Sequence, residues 1–283
     1  MNFAVSTAEA YVADGTPLPE ACSRTTHLAV GAHQDDLEIM AFDGIINCFQ
    51  RSDRWFSAVV VTNGGGSPRT GLYEKLTDEE MMAVRRTEQK KAAMIGDYSV
   101  QFLLNHPSGS VKDGANASVV DDLYAVLDAT RPETVFTHNP ADKHDTHVGV
   151  MLKLIAAIRR MPGEARPKKV YGCEVWRDLD WMCDADKTVF DVSAHENMQA
   201  ALLGVFDSQV SGGKRYDLAT LGRRRAHATY FASHNVDTAT GINFGMDLTP
   251  LIQDDTLTAR ELFHQHIRRF SEEIEERLKK VGG

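Results

Sequence analysis

Apolar runs and helical-period stripes alternate along the first half of the chain. Leu28, Ala29 and Val30 form a short apolar run ending at small residues, which predicts a buried strand over Thr26–Ala32. Met40, Phe42, Ile45, Ile46 and Phe49 then recur at helical spacing, and the valine-rich stretch Trp55–Thr62 predicts a second strand. Asn63-Gly64-Gly65-Gly66 reads as a flexible loop that continues over Pro68–Thr77. A helix follows over Asp78–Ile95, with Gly96 where a C-cap glycine belongs. Strands over Val100–Leu104 and Thr134–His138 alternate with helices over Val119–Leu127 and Thr146–Ile158. Such alternation implies an α/β, Rossmann-like fold: a mostly parallel sheet with helices on both faces.

Beyond the polar stretch Pro162–Lys169 the pattern loosens. Strands are predicted over Val170–Val175 and Val189–Val192, and helices over Glu196–Phe206, Leu218–Tyr230 and Leu257–Lys280. With no repeat and no linker composition, residues 1–283 read as a single domain, whose core spans about 26–160 and whose residues 161–283 are a C-terminal α/β elaboration. The last helix carries Leu262, Ile267, Phe270, Ile274 and Leu278 on one side, a stripe that suits core packing or a homo-oligomer contact.

A chain of 283 residues, 42% hydrophobic and 25% charged, has room for one substantial core. Its net charge of -9 excludes nucleic acid as a natural partner, because counterion release needs a Lys/Arg surplus. Residues 1–25 lack a basic stretch followed by an apolar run, and no segment reaches the ~18–20 apolar residues of a membrane span, so the expectation is a cytoplasmic chain with no membrane span. Cys22, Cys48, Cys173 and Cys183 are scattered and fit buried reduced thiols.

In an open parallel sheet, ligands bind beyond the carboxyl ends of the strands. The loop after the first predicted strand reads Ala32-His33-Gln34-Asp35-Asp36-Leu37-Glu38, with carboxylates where a dinucleotide site would need glycines. Carboxylates repel phosphate, so a cation is the natural occupant. His33 and Asp36 are three apart at a helix start, and His144 and His147 repeat that spacing after the strand Thr134–His138. If the two strands are neighbours, His33, Asp36 and His147 form a set of two imidazoles and one carboxylate suited to catalytic zinc with one position left to water. Asp35 then lies beyond the ligands. His138 reads equally as a core histidine or as a support for the site, whereas His27, His106, His195, His234, His264 and His266 read as ordinary core or surface residues.

These loops resemble the LmbE-like (PIG-L) family of zinc-dependent N-deacetylases. The family's His-Pro-Asp-Asp-x-Glu stands here as His33-Gln34-Asp35-Asp36-Leu37-Glu38, its His-Pro-Asp-His as His144-Asp145-Thr146-His147, and its Arg-x-x-Glu as Arg85-Arg86-Thr87-Glu88. The resemblance implies that His33, Asp36 and His147 hold Zn2+, that Asp35 is the general base, and that a protonated His144 stabilises the oxyanion and helps protonate the amine. Arg85 becomes a clamp on a substrate hydroxyl or phosphate. The implied activity is removal of an N-acetyl group from an amino sugar such as an N-acetylglucosamine derivative. An amidase of a larger thiol-sugar or natural-product conjugate, or a non-catalytic sugar- or metal-binding protein of this fold, are the alternatives. Two positions depart from the pattern. Gln34 replaces proline, which should loosen the loop a little, and Thr146 replaces the carboxylate before the last histidine, so that Asp145 or Asp142 must support His144.

Glu174-Val175-Trp176-Arg177-Asp178-Leu179-Asp180-Trp181 mixes rings and charges as a sugar site does, which makes Glu174 and Arg177 candidate substrate-binding residues, and reads equally as a core tryptophan with a surface ion pair. The basic islands Gly212–Tyr216 and Arg223-Arg224-Arg225 could meet an anionic group, but a solvated helix face is the commoner reason for such a run.

Overall fold

Phe56–Thr62 is buried at every position, as a central strand covered on both faces must be. In the computed structural model, which describes residues 1–283, it is the third of eight strands: β1 (Glu9–Tyr11), β2 (His27–Gly31), β3 (Phe56–Thr62), β4 (Gln101–His106), β5 (Thr134–His138), β6 (Lys169–Cys173), β7 (Lys187–Asp191) and β8 (Ile242–Asp247). They form one sheet in the order β1-β4-β3-β2-β5-β6-β8-β7. The central β4, β3, β2, β5 and β6 are parallel, while β1, β8 and β7 join antiparallel.

Successive strand residues point to opposite faces and feed two cores. Leu28, Val30, Val59 and Val61 pack under helices Ser118–Thr130 and Asp145–Arg159, whereas Ala29, Ala58 and Val60 pack under Phe42–Cys48, Asp78–Ile95 and Glu196–Gly204. The expected α/β sheet with helices on both faces is the fold observed. No helix is long and apolar enough to cross a membrane.

Several local expectations change. The predicted helix around Met40–Phe49 is two helices, Asp36–Met40 and Phe42–Cys48, broken at Ala41, whose φ of -114° and ψ of 25° are not helical. Gly96 does end its helix, but with φ -85°; the left-handed residue is Asp97, and glycine is needed at 96 because a Cβ there would lie 2.3 Å from the Tyr98 ring. Strands β1 and β8 and the short helix Ser108–Lys112 carry too little periodicity to be read in advance.

The strand order reverses at β2, which has β3 on one side and β5 on the other. Ala29 pairs with Phe136, so the loops after β2 and β5 leave the sheet side by side. That crevice is the topological switch point, where such sheets bind ligands.

Candidate metal centre and active site

Beyond β2 the chain turns abruptly into the helix Asp36–Met40. The turn is made by Asp35, whose φ of 98° places a non-glycine residue in the left-handed region, at a cost of about 1–2 kcal/mol. Asp36 Oδ2 accepts the His33 N–H at 2.6 Å and closes the loop. Gln34, expected to loosen this loop, is buried: its Nε2 donates to Thr62 O at 3.3 Å and its carbonyl accepts from Arg85. The side chain thus ties the loop to β3 by one hydrogen bond, and Arg85 holds the Gln34 backbone carbonyl, where the family's proline restrains the loop through φ.

His33 Nδ1 lies 3.1 Å from His147 Nε2 and 3.4 Å from Asp36 Oδ2, and His147 Nε2 lies 3.5 Å from Asp36 Oδ2. Ligands about 2.0–2.1 Å from a tetrahedral metal are separated by about 3.3–3.4 Å, so these three atoms outline one face of such a tetrahedron. Two other groups, His33–His144–His147 and Asp36–His138–His147, also converge. His138 is ruled out as a ligand through Nε2, because that lone pair accepts the Ala32 N–H at 2.9 Å. His138 is wholly buried, and burial, reinforced by His147, lowers its pKa to about 4, so it stays neutral.

The electrostatics favour a cation at the triangle. Burial acts to raise the Asp36 carboxyl, but opposing contributions, His147 foremost, outweigh it and hold Asp36 well below the ordinary carboxylate range. Burial opposes a charge on His147, yet Asp36 and Asp142 raise its pKa. Asp142 Oδ1 sits 3.5 Å from His147 Nδ1, and its other oxygen accepts the Trp176 N–H at 3.1 Å. Asp142 therefore orients His147, as second carboxylates do around metal-binding histidines.

No carboxylate takes that part for the His144 ring. Asp145 is exposed, and Asp142 reaches only the His144 backbone N–H, at 3.0 Å. The ring Nδ1 instead accepts the Thr146 N–H at 3.2 Å, capping the helix Asp145–Arg159. Burial, with His147 and His33, lowers the His144 pKa. The geometry thus favours a neutral ring with its proton on Nε2, in place of the protonated partner that the resemblance implies.

Asp35 is buried, and desolvation raises its pKa well above the usual range against the pull of Arg85. The Arg85 guanidinium lies 3.6 Å from Asp35 Oδ1 and also donates to Gln34 O and Ser67 Oγ. Arg85 lines the cleft with these donors already engaged, so it braces the loop. Gly64 makes the contact possible: with φ 73°, a Cβ there would lie 2.4 Å from Gln34 Oε1 and 2.9 Å from Arg85 Cδ.

The cleft above these residues measures about 460 Å³ and also meets Asn63, Ser108, Lys112, Trp176, Gln209, Lys214 and Tyr216. Trp176 and Tyr216 meet edge to face at 6.0 Å and form a shelf, with the Lys214 ammonium 5.2 Å from the Trp176 ring. A smaller bay of about 200 Å³ opens behind the shelf among Ile39, Val175 and Ala219. Glu174 and Arg177 are not brought into the cleft. Glu174 is buried and accepts the Leu179 and Phe244 N–H groups at 2.7 and 3.0 Å, and the exposed Arg177 donates to Ala141 O at 2.6 Å. Strand-end logic makes Asn63, Ser108 and Lys112 findable, since they follow the carboxyl ends of β3 and β4; Gln209 carries no such signal.

Of the arginine run, Arg225 is exposed as a solvated face requires, but Arg224 is not. Arg224 is buried and donates to Glu38 O at 2.9 Å, Ile39 O at 3.0 Å, Gln199 Oε1 at 2.9 Å and Asn243 Oδ1 at 3.2 Å. It caps the C-terminal end of the helix that begins with Asp36.

Residues 28–158 match the family model described as PIG-L: GlcNAc-PI de-N-acetylase. A search of curated proteins finds no match to the sequence. Among solved structures, 4-carboxy-2-hydroxymuconate hydratase from Pseudomonas putida is 17% identical, with TM-score 0.58 over 79% of this chain and 96% of that one. N,N'-diacetylchitobiose deacetylase from Pyrococcus horikoshii is likewise 17% identical, with TM-score 0.56 over 78% of this chain and 83% of that one. The zinc-inhibited form of a teicoplanin deacetylase is 14% identical, with TM-score 0.54 over 79% of this chain and 97% of that one. At such identities the likeness is one of fold. Because that fold carries a hydratase as well as deacetylases, function must be argued from the site.

Proposed function

Because residues 28–158 belong to the PIG-L (LmbE-like) family, we propose that this chain is a metal-dependent hydrolase that removes the N-acetyl group from an amino sugar or sugar conjugate. The observation that carries the reading is the triangle of His33 Nδ1, Asp36 Oδ2 and His147 Nε2, with edges of 3.1–3.5 Å, beside a buried carboxyl that is not part of it. His33, Asp36 and His147 are the residues that would hold the ion. Bound there, zinc or another divalent cation supplies Lewis acidity toward the acyl carbonyl and acidifies water near neutral pH.

Asp35 takes the proton of the attacking water, its basicity raised by burial. Arg85 keeps its carboxylate in place. His144 donates its Nε2 proton toward the acyl oxygen as negative charge develops there, a stabilisation stronger in the transition state than in the ground state. Asp35 then returns its proton to the departing amine nitrogen, so that acid and free amine leave in balance. The sugar ring rests on Trp176 and Tyr216, and the bay behind them receives an apolar part of a conjugate.

The test is acetate release from a panel of N-acetylated amino sugars and their conjugates, with metal-loaded and chelator-treated enzyme in parallel. Chelator-sensitive acetate is expected. Asp35→Asn should lower kcat by about 10²–10⁴-fold with metal content unchanged, and His147→Ala should strip the metal. Silence across the panel with metal fully bound, or full activity in His147→Ala, would overturn the reading. Hydration of a carbon–carbon double bond would then be the chemistry to examine, given the hydratase of the same fold.

A further inference from the structure

The helix Ala259–Lys280 has one wholly buried side chain, Leu262. One edge is fastened to the body of the protein: Arg269 pairs with Asp186 at 2.6 Å, His266 lies 3.5 Å from the same carboxylate, and Phe263 meets Trp181 edge on at 5.7 Å. Next to that edge runs an apolar stripe that is only partly covered. Ile267 and Ile274 are each 38% exposed, Leu278 53% and Val281 75%. Isolated apolar residues on a surface are ordinary, but three on one helical stripe, with Val281 just past its end, are not.

We propose that this stripe is the contact between two copies of the chain, paired antiparallel about a two-fold axis at Phe270 and Ser271. The sequence around that point is self-complementary. Ile267 of one copy lies level with Ile274 of the other, and Leu278 with the open side of the half-buried Phe263, so the apolar rows meet. The charges nearest that point divide there, with Arg268 and Arg269 before it and Glu272, Glu273, Glu275 and Glu276 after it, while toward the ends of the helix the signs mix, with Arg260 and Glu261 at one end and Arg277, Lys279 and Lys280 at the other. Antiparallel pairing brings Arg268, on the solvent flank of the stripe, to within about 3 Å of axial register with Glu275 of the second copy, on the same flank. Parallel pairing would set the arginines against arginines and the glutamates against glutamates. The two-fold makes every favourable contact occur twice.

A 22-residue helix is about 33 Å long, and one pair of such helices lies at the low end of stable interface size. The dimer is therefore in exchange with monomer at micromolar concentration and weakens with salt.

The experiment is sedimentation velocity on the full chain from about 1 to 100 µM, a span set around the micromolar affinity of small interfaces. The expected result is a shift with concentration from 31.3 kDa toward twice that mass. Ile274→Asp should leave thermal stability and metal content unchanged and hold the chain monomeric. Arg268→Glu should raise the dimer Kd at least tenfold, and combining it with Glu275→Arg should restore the wild-type Kd, which mere loss of packing would not do. A chain that stays monomeric throughout, or a dimer indifferent to both Ile274→Asp and Arg268→Glu, overturns the proposal.

Discussion

Replacing Arg224 by methionine tests the link between the C-terminal half of the chain and the site. The substitution keeps most of the side-chain length and removes the guanidinium, leaving Glu38 O, Ile39 O, Gln199 Oε1 and Asn243 Oδ1 without their donor in a buried setting. Burial already lowers the Arg224 pKa to about 9, so part of the loss is offset when the cation is removed. Four stranded acceptors at about 1–2 kcal/mol each, lessened by that relief, leave a net destabilisation of about 3 kcal/mol. For a chain of this size that corresponds to a fall in Tm of roughly 6–12 °C. Glu38 and Ile39 belong to the helix that begins with Asp36, so the loss should also reach the metal triangle. Chemical denaturation gives the first quantity, and metal affinity by competition with a chelating dye gives the second, with a weakening of about 10–100-fold expected as for other groups that support ligands. An Arg224→Met protein within 1 kcal/mol of wild type, with unchanged metal affinity, would refute the reasoning.

Gly64→Ala should disturb the site more than the fold. Its Cβ meets Gln34 and Arg85 at a φ that alanine tolerates poorly, so we expect about 1–2 kcal/mol of lost stability and a larger fall in kcat than in metal content, read by steady-state kinetics beside metal analysis. Glu38 and Glu174 are each raised by burial to a pKa of about 7. For a carboxyl raised in the folded state, the unfolded chain ionises first, so stability falls as pH rises from about 4.5 to about 7, by about 3 kcal/mol for each group, and levels off above that. Carboxyl NMR with labelled glutamate should show two resonances titrating near pH 7. Finding every glutamate titrating below 5.5 would contradict that burial.

The histidine and carboxylate spacings were legible because they are local. His33 with Asp36, and His144 with His147, each lie within one turn at a helix start, and valine-rich runs such as Phe56–Thr62 advertise a buried parallel strand. Sequence alone therefore determined the α/β class and the two loops where chemistry was to be sought, since strand and helix periodicity and short-range ligand spacing are properties of neighbouring residues. Which partners those residues take was decided only by tertiary structure. Asp142 serves His147 and not the His144 ring, His138 is spent on the Ala32 N–H, Glu174 turns inward to two backbone donors, and Arg224 leaves a basic run to cap a helix 186 residues away in sequence. The last three of these assignments each satisfy a buried polar group. Where burial falls, and which unpaired donor or acceptor waits there, depends on contacts between distant segments that no local pattern records.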